Sequence, residues 1–193
     1  MTNFSSGLIC LLGALAALGA AAIDMYLPSL PSIESELGVV SGSAQFTLSS
    51  FFIGLGLGQL FYGPISDSLG RRKVLVVGLF IYCLGSLFCF FADTMMDLVA
   101  ARFFQALGAA AGGVIARAMV RDVFTGKKAA QAQSFINLAF SFTPLMAPLL
   151  VCYLLIFFGW GSIFLSVLLF GIICLLLLIL KIPETLPKEK RNT

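Results

Sequence analysis

Six long apolar stretches, separated by short polar connections, dominate this chain of 193 residues. They cover residues 7–27, 44–62, 74–92, 98–120, 132–157 and 162–180. Each is close to the roughly 20 residues that a helix needs to cross the hydrocarbon core of a bilayer. The pattern predicts an all-α membrane protein, with one domain of six transmembrane helices over residues 1–193.

The composition supports a membrane location. Apolar residues make up 60% of the chain and charged residues only 11%, whereas about a quarter of the residues in a soluble domain are charged. A core of this size cannot hide so much apolar surface from water. Lipid is therefore expected to be the solvent around much of the protein, and the bilayer is its first partner.

The basic residues predict the direction of each helix. Eleven of the twelve lie in the second connection, around the fourth connection, or at the end of the chain: Arg71, Arg72, Lys73, Arg117, Arg121, Lys127, Lys128, Lys181, Lys188, Lys190 and Arg191. The first, third and fifth connections contain none. Short connections rich in Lys and Arg stay in the cytoplasm. We therefore expect a multi-pass protein of the bacterial inner membrane with both termini in the cytoplasm.

The absence of histidine and the scattered cysteines argue against several classes of function. The chain has no histidine, and its five cysteines lie inside apolar stretches without the spacing of a metal site or a disulfide framework. No glycine-rich phosphate loop is present, and no basic patch lies on a soluble face where nucleic acid could bind. We expect no enzyme activity, no cofactor, no metal and no nucleic-acid partner.

Apart from Arg117 near the end of the fourth span, two charged residues lie inside the predicted spans, and a charge in lipid marks a candidate functional site. Asp24 is near the end of the first span, and its carboxyl group could take up and release a proton. Arg102 is inside the fourth span, and its fixed charge could tune that proton binding. A purely interfacial carboxylate and a purely structural arginine remain open as alternatives. Met25, Tyr26 and Gln105 are the candidates for lining a substrate cavity beside the two charges.

The order of the spans and two prolines suggest how such a protein could move. A charged span followed by two uncharged ones occurs twice, as expected for the three-plus-three inverted repeat of many transporters. In the fifth span, Pro144 and Pro148 lie four residues apart. Each removes a backbone donor and favours a bend. This bend is either a hinge or a packing kink.

Several motifs resemble one family. Residues 63–73, with sequence GPISDSLGRRK, match the signature G-x-L-[SA]-D-R-x-G-R-R/K except at Ile65 and Ser68. Residues 24–31 (DMYLPSLP) and 102–110 (RFFQALGAA) fit D-x-Y-L-P-x-L-P and R-x-x-Q-[GA]-x-G-A-A. In this combination the chain resembles the major facilitator superfamily, and more narrowly the Bcr/CflA-type drug:proton antiporters of the bicyclomycin and chloramphenicol resistance group.

The resemblance implies a function and a set of roles. It implies proton-coupled efflux of a small amphipathic drug or metabolite across the inner membrane by alternating access, with Asp24 and Arg102 in proton coupling. The expected inner-gate loop consists of Gly63, Asp67, Gly70, Arg71, Arg72 and Arg117. A metabolite carrier of the same fold and a non-transporting membrane subunit remain open as alternatives.

The resemblance also implies that this chain is one half of the fold. Members of the superfamily have twelve helices in two halves, and the six helices here match the N-terminal half. The expected partner is a second copy of the chain or a second six-helix half. A truncated product that is inactive alone is the other expectation.

Overall fold

The computed structural model describes residues 6–186, which form α-helices and one short 3₁₀ helix, with no strand in that range. The elements are α1 (Ser6–Asp24), the 3₁₀ helix (Leu27–Ser29), α2 (Leu30–Glu36), α3 (Gln45–Leu69), α4 (Arg71–Phe90), α5 (Met95–Val123), α6 (Gly126–Phe158) and α7 (Gly161–Lys181). Six segments of the described chain are long and apolar enough to cross a membrane: α1 with α2, and each of α3 to α7. The prediction of an all-α fold with six membrane helices is confirmed.

The helices extend beyond the predicted apolar stretches at several ends. Helix α3 continues through Pro64 to Leu69, and α4 begins at Arg71, so that only Gly70 separates them. Gly70 has a φ of 100°, a left-handed conformation that glycine adopts at little cost. The predicted inner-gate loop is therefore almost entirely helical. Gly63 and Asp67 belong to α3, whereas Arg71 and Arg72 form the first turn of α4.

Helix α5 lies at the centre of the bundle and packs against α3, α4 and α1. Small residues make these contacts close. A Cβ atom added at Gly108 would lie 2.2 Å from the backbone nitrogen of Tyr82 in α4, and one added at Gly112 would lie 2.3 Å from the carbonyl oxygen of Leu15 in α1. Membrane helices use small residues in this way to bring their backbones together.

The packing follows an approximate exchange symmetry. Helix α5 packs against α3 and α4, and α1 packs in the same way against α6 and α7. The exchange replaces α1 by α5, α3 by α6 and α4 by α7. Two further contacts, α1 with α5 and α4 with α7, are unchanged by it. This is the arrangement that a three-plus-three repeat requires.

The two ends of the bundle are chemically different. Arg71, Asp122 and Glu184 meet at one end, which we call the basic end. At the opposite end, the Trp160 side chain donates to a carboxylate oxygen of Glu36 over 2.8 Å. The starts of α1 and α6 and the ends of α3, α5 and α7 therefore share the basic end. Lys188, Lys190 and Arg191, which contributed to the predicted orientation, lie outside the described residues.

The close packing of α5 gives a direct test of the fold. Gly108→Ala should lower the stability of the purified protein by about 1–3 kcal/mol, because the new methyl group meets the α4 backbone and cannot be accommodated by a side-chain movement. Gly113→Ala is the matched control on the same helix, since a Cβ there meets nothing within 4 Å. Thermal unfolding of both variants in detergent checks this; equal melting temperatures would contradict the packing.

Candidate functional site

Arg102 is buried in the middle of the bundle. Its side chain is 0% exposed, and Nη1 donates to the carbonyl oxygen of Ala22 over 3.1 Å and to Oε1 of Gln105 over 2.7 Å. Among residues 6–186, no carboxylate forms an ion pair with it. The Nε and Nη2 atoms are buried without a hydrogen-bond partner in the described chain. The sequence predicted a substrate cavity beside this residue, but protein atoms surround its side chain.

Aromatic rings take the place of a counter-ion around Arg102. The guanidinium carbon lies 4.3 Å from the ring centroid of Tyr26, 4.2 Å from that of Phe51 and 5.9 Å from that of Phe164. Attraction between a cation and the face of an aromatic ring reaches about 2 kcal/mol or more where water is excluded. Phe51 and Phe164 were missed by sequence reasoning, because one phenylalanine among many in an apolar span carries no distinguishing pattern.

A chain of hydrogen bonds holds Gln105 in place. Its Nε2 donates to Oγ of Ser86 over 2.9 Å, and Ser86 donates in turn to the carbonyl oxygen of Tyr82 over 2.8 Å. The chain thus runs from Arg102 on α5 to the backbone of α4. Ser86 was also missed, although a hydroxyl within an otherwise apolar span could have been noticed. Gln105 is fully buried as part of this series of hydrogen bonds, and it does not line a cavity.

Tyr26 is also fully buried, and it joins the first span to the second. Its hydroxyl lies 2.6 Å from Oγ1 of Thr47, which donates to the carbonyl oxygen of Ala44 over 2.6 Å. With that proton committed, the Tyr26 hydroxyl must donate to Thr47. This hydrogen bond holds the Tyr26 hydroxyl in place while the face of the ring lies against Arg102.

Asp24 ends α1 and is half-buried. Its Oδ2 atom is shielded from solvent and has no hydrogen-bond partner in the described chain. Arg102 contacts α1 at Ala22, two residues before Asp24, but the two charged side chains do not form an ion pair. The two ionisable side chains thus lie on adjacent helices, and each has at least one polar atom without a hydrogen-bond partner among residues 6–186.

A cavity of about 330 Å³ opens between α1, α6 and α7. Of the three predicted cavity residues, only Met25 lines it; the rest of its wall is mostly apolar, formed by Ala17, Ala21, Phe142, Thr143, Met146, Ala147, Leu150, Ser166, Val167 and Phe170. Helix α6 runs unbroken through Pro144 and Pro148 beside this wall. Each proline lacks the amide hydrogen that would bond to the carbonyl four residues earlier. A hinge there stays a prediction.

A network around Arg71 closes the basic end. The Arg71 guanidinium pairs with Asp67 one turn earlier, donates through Nε to Asp122 over 3.0 Å, and donates through Nη1 to Ser66 over 2.6 Å. Its backbone amide donates to Oε1 of Glu184 over 2.9 Å. The network joins α3, α4, α5 and the segment after α7.

Other members of the predicted gate lie around this network. Arg72 donates through Nη2 to the carbonyl oxygen of Ile179 in α7 over 2.8 Å. Arg117 lies half-buried on α5, more than one turn before Asp122, and Gly63 lies in α3 one turn before Asp67. Asp122 and Glu184 were not assigned a role from the sequence, because nothing in the linear order places either acid beside Arg71.

Comparison with known proteins decides the family. The profile described as Major Facilitator Superfamily matches residues 9–193. The chain belongs to the major facilitator superfamily. One relative in this superfamily is the uncharacterized MFS-type transporter YdgK of Bacillus subtilis, 44% identical over 183 residues, which cover 94% of this chain and 46% of the relative. Another is the bicyclomycin resistance protein homolog of Haemophilus influenzae, 37% identical over 95% of this chain and 46% of its own length.

A solved structure agrees with this assignment to the superfamily. The bacterial homolog to the human lysosomal transporter Spinster, in an inward-facing and unoccupied conformation, superposes with a TM-score of 0.80 at 20% identity, over 100% of this chain and 45% of that one. The chain thus spans about half the length of the superfamily members that it matches. The resemblance to the N-terminal half of a drug-resistance transporter is confirmed, and the superfamily consists of transporters rather than enzymes.

The Arg71 network should tolerate loss of its geometry poorly. Arg71→Lys keeps the charge but removes the planar fork that reaches Asp122 and Ser66 together, so we expect a stability loss of about 1.5–3 kcal/mol. Arg121→Lys is the matched control, because Arg121 is an exposed arginine next to Asp122, at the basic end of α5. Unfolding monitored by circular dichroism measures both; an unchanged Arg71→Lys transition would show that the network contributes nothing to stability.

Proposed function

We propose that this chain is half of a proton-coupled efflux carrier of the bacterial inner membrane. The carrier exports small amphipathic drugs or metabolites in exchange for protons by alternating access. One observation carries the proposal: a fully buried arginine lies next to a membrane helix that ends in a half-buried aspartate, and neither has an ion-pair partner among the described residues. A charge inside a membrane protein is expensive and marks an ion or proton pathway.

Coupling follows from the electrostatics of Asp24 and Arg102. An ionised Asp24 would attract the Arg102 guanidinium when α1 brings the two side chains together, and a protonated Asp24 would not. The two protonation states of the carboxyl group therefore favour different separations of α1 and α5. Arg102 is free to respond because Nε and Nη2 have no partner in the described chain. A proton can shift the conformational equilibrium only through such a difference between states.

The substrate would bind with its apolar part in the cavity between α1, α6 and α7. Met25 follows Asp24 directly, so a molecule in this cavity lies close to the proton-binding carboxyl group. Methionine and phenylalanine side chains adapt to apolar ligands of different shape, and the volume of about 330 Å³ suits a small molecule. The name of the Haemophilus relative, a bicyclomycin resistance protein homolog, supports a drug as substrate.

The basic end would face the cytoplasm, with both termini on that side. Eight of the basic residues in the described chain lie at this end: Arg71, Arg72, Lys73, Arg117, Arg121, Lys127, Lys128 and Lys181. Retention of Lys and Arg in the cytoplasm supports this orientation. The network of Arg71, Asp67, Asp122 and Glu184 would then hold the cytoplasmic ends of four segments together as part of the inner gate.

A second six-helix unit would complete the transport path. The apolar faces of α3 and α6 are the most exposed of the bundle, with Leu60, Leu145 and Leu149 each more than 60% exposed. The relatives are about twice the length of this chain. We infer that α3 and α6 pack against a second copy of this chain or against a second six-helix half, and that Pro144 and Pro148 let α6 bend during the exchange.

The proposal is tested by drug movement in liposomes that contain the purified protein and an imposed pH gradient. Wild-type protein should drive accumulation of a fluorescent amphipathic drug. Asp24→Asn should reduce this to the level of protein-free liposomes, because the asparagine amide cannot take up a proton, and Arg102→Ala should do the same. Asp93→Asn is the matched control, since Asp93 is exposed in the connection between α4 and α5.

Each outcome has a clear reading. Full gradient-driven flux in Asp24→Asn would remove this residue from proton coupling. Flux in Arg102→Ala would leave the arginine with a structural role alone. If wild-type protein of this length moves no drug under any gradient, the six-helix chain is not a carrier by itself, and a second half must be supplied to recover transport.

A further inference from the structure

A separate groove lies on the outer surface of the bundle, at the end opposite the basic end. It is a groove of about 330 Å³ between α4 and α5, lined by Phe88, Phe91, Ala92, Asp97, Ala100, Ala101 and Phe104. It shares no lining residue with the cavity between α1, α6 and α7. Arg102 lies on the same helix but is fully buried in the bundle.

Helical spacing explains how the groove forms. Asp97, Ala100, Ala101 and Phe104 are three or four residues apart, so they share one face of α5. The alanines form a shallow floor between the two helices. Phe88, Phe91 and Phe104 stand along the groove with their side chains 60%, 66% and 53% exposed. Three aromatic side chains are thus available to an apolar or cationic ligand.

The carboxylate of Asp97 gives the groove a polar end. Asp97 lies in the first turn of α5, where its amide donates to Oγ1 of Thr94 over 3.2 Å and its Oδ2 accepts from the Thr94 hydroxyl over 2.6 Å. These bonds fix the carboxylate in position. No described residue forms an ion pair with it, so the negative charge at the mouth of the groove is not neutralised by a neighbour.

We propose that this groove binds an organic cation, such as an ammonium or phosphonium group with apolar substituents. The aromatic rings attract a cation through their faces, and the carboxylate supplies the opposite charge at the mouth of the groove. The apolar substituents would lie over the alanine floor. The same chemistry is offered by a free lipophilic cation and by the ammonium headgroup of phosphatidylethanolamine. The proposal does not depend on transport or on Asp24.

Binding of radiolabelled tetraphenylphosphonium to the whole chain in nanodiscs of phosphatidylglycerol tests the site. This lipid carries no ammonium group. Asp97→Asn and Phe104→Leu should each weaken binding by about fivefold or more, because they remove the charge and one aromatic face. Asp93→Asn and Phe80→Leu are the matched controls: both residues are exposed in the same region of the chain but lie outside the groove. Both should bind like wild type.

Further arms identify the occupant. Replacing half of the lipid with phosphatidylethanolamine should reduce the difference in phosphonium binding between wild type and Asp97→Asn if the lipid headgroup is the natural ligand, and leave that difference unchanged if a free cation is. Tetraphenylborate has the same shape and a negative charge, so the Asp97 carboxylate should repel it and Asp97→Asn should not weaken its binding. The proposal is overturned if Asp97→Asn and Phe104→Leu bind like wild type, or if only Asp24→Asn abolishes phosphonium binding.

Discussion

A positive charge buried inside an apolar bundle, with no carboxylate partner between residues 6 and 186, is the constraint on which this structure depends. An isolated ion in such surroundings costs several kcal/mol unless other groups stabilise it. Here the stabilising groups come from different helices: the carbonyl oxygen of Ala22 on α1, the Gln105 amide on α5, and the rings of Tyr26 and Phe51. Arg102 therefore connects α5 to α1 through Ala22, to α3 through Phe51 and to the segment after α1 through Tyr26.

Around this centre, the middle of the bundle and its basic end are stabilised by different interactions. The middle of α5 is fixed by backbone approach at small residues such as Gly108, and the basic end by charged hydrogen bonds to Arg71. By contrast, α6 packs mainly on α1 and leaves a cavity beside it. The contacts of α5 with its neighbours, made at glycines, are thus tight. The space between α1, α6 and α7, which Met25 lines, has room for a ligand. Such a division suits a carrier with a rigid framework and an adaptable wall.

The sequence was sufficient for the fold and for selecting the two charged residues of the candidate site. Hydropathy, the segregation of Lys and Arg, and the two intramembrane charges predicted six helices and pointed to Asp24 and Arg102. The partners of Arg102 could not be predicted, because Phe51 and Phe164 are distinguished only by their three-dimensional position. The same holds for Glu184, which meets the amide of Arg71 across 113 positions of sequence. The loop predicted at residues 63–73 proved helical, since prolines such as Pro64 are tolerated where membrane packing outweighs local preference.

The central claim is that Arg102 is charged, shielded from water and faced by aromatic rings. Solid-state NMR of ¹⁵N-labelled arginine in lipid bilayers measures this directly, with the Arg102 signal assigned by its loss in Arg102→Lys. We expect a charged guanidinium whose Nη protons exchange slowly with water and are shifted upfield by the ring currents of Tyr26 and Phe51. Rapidly exchanging Nη protons without a ring-current shift would contradict it.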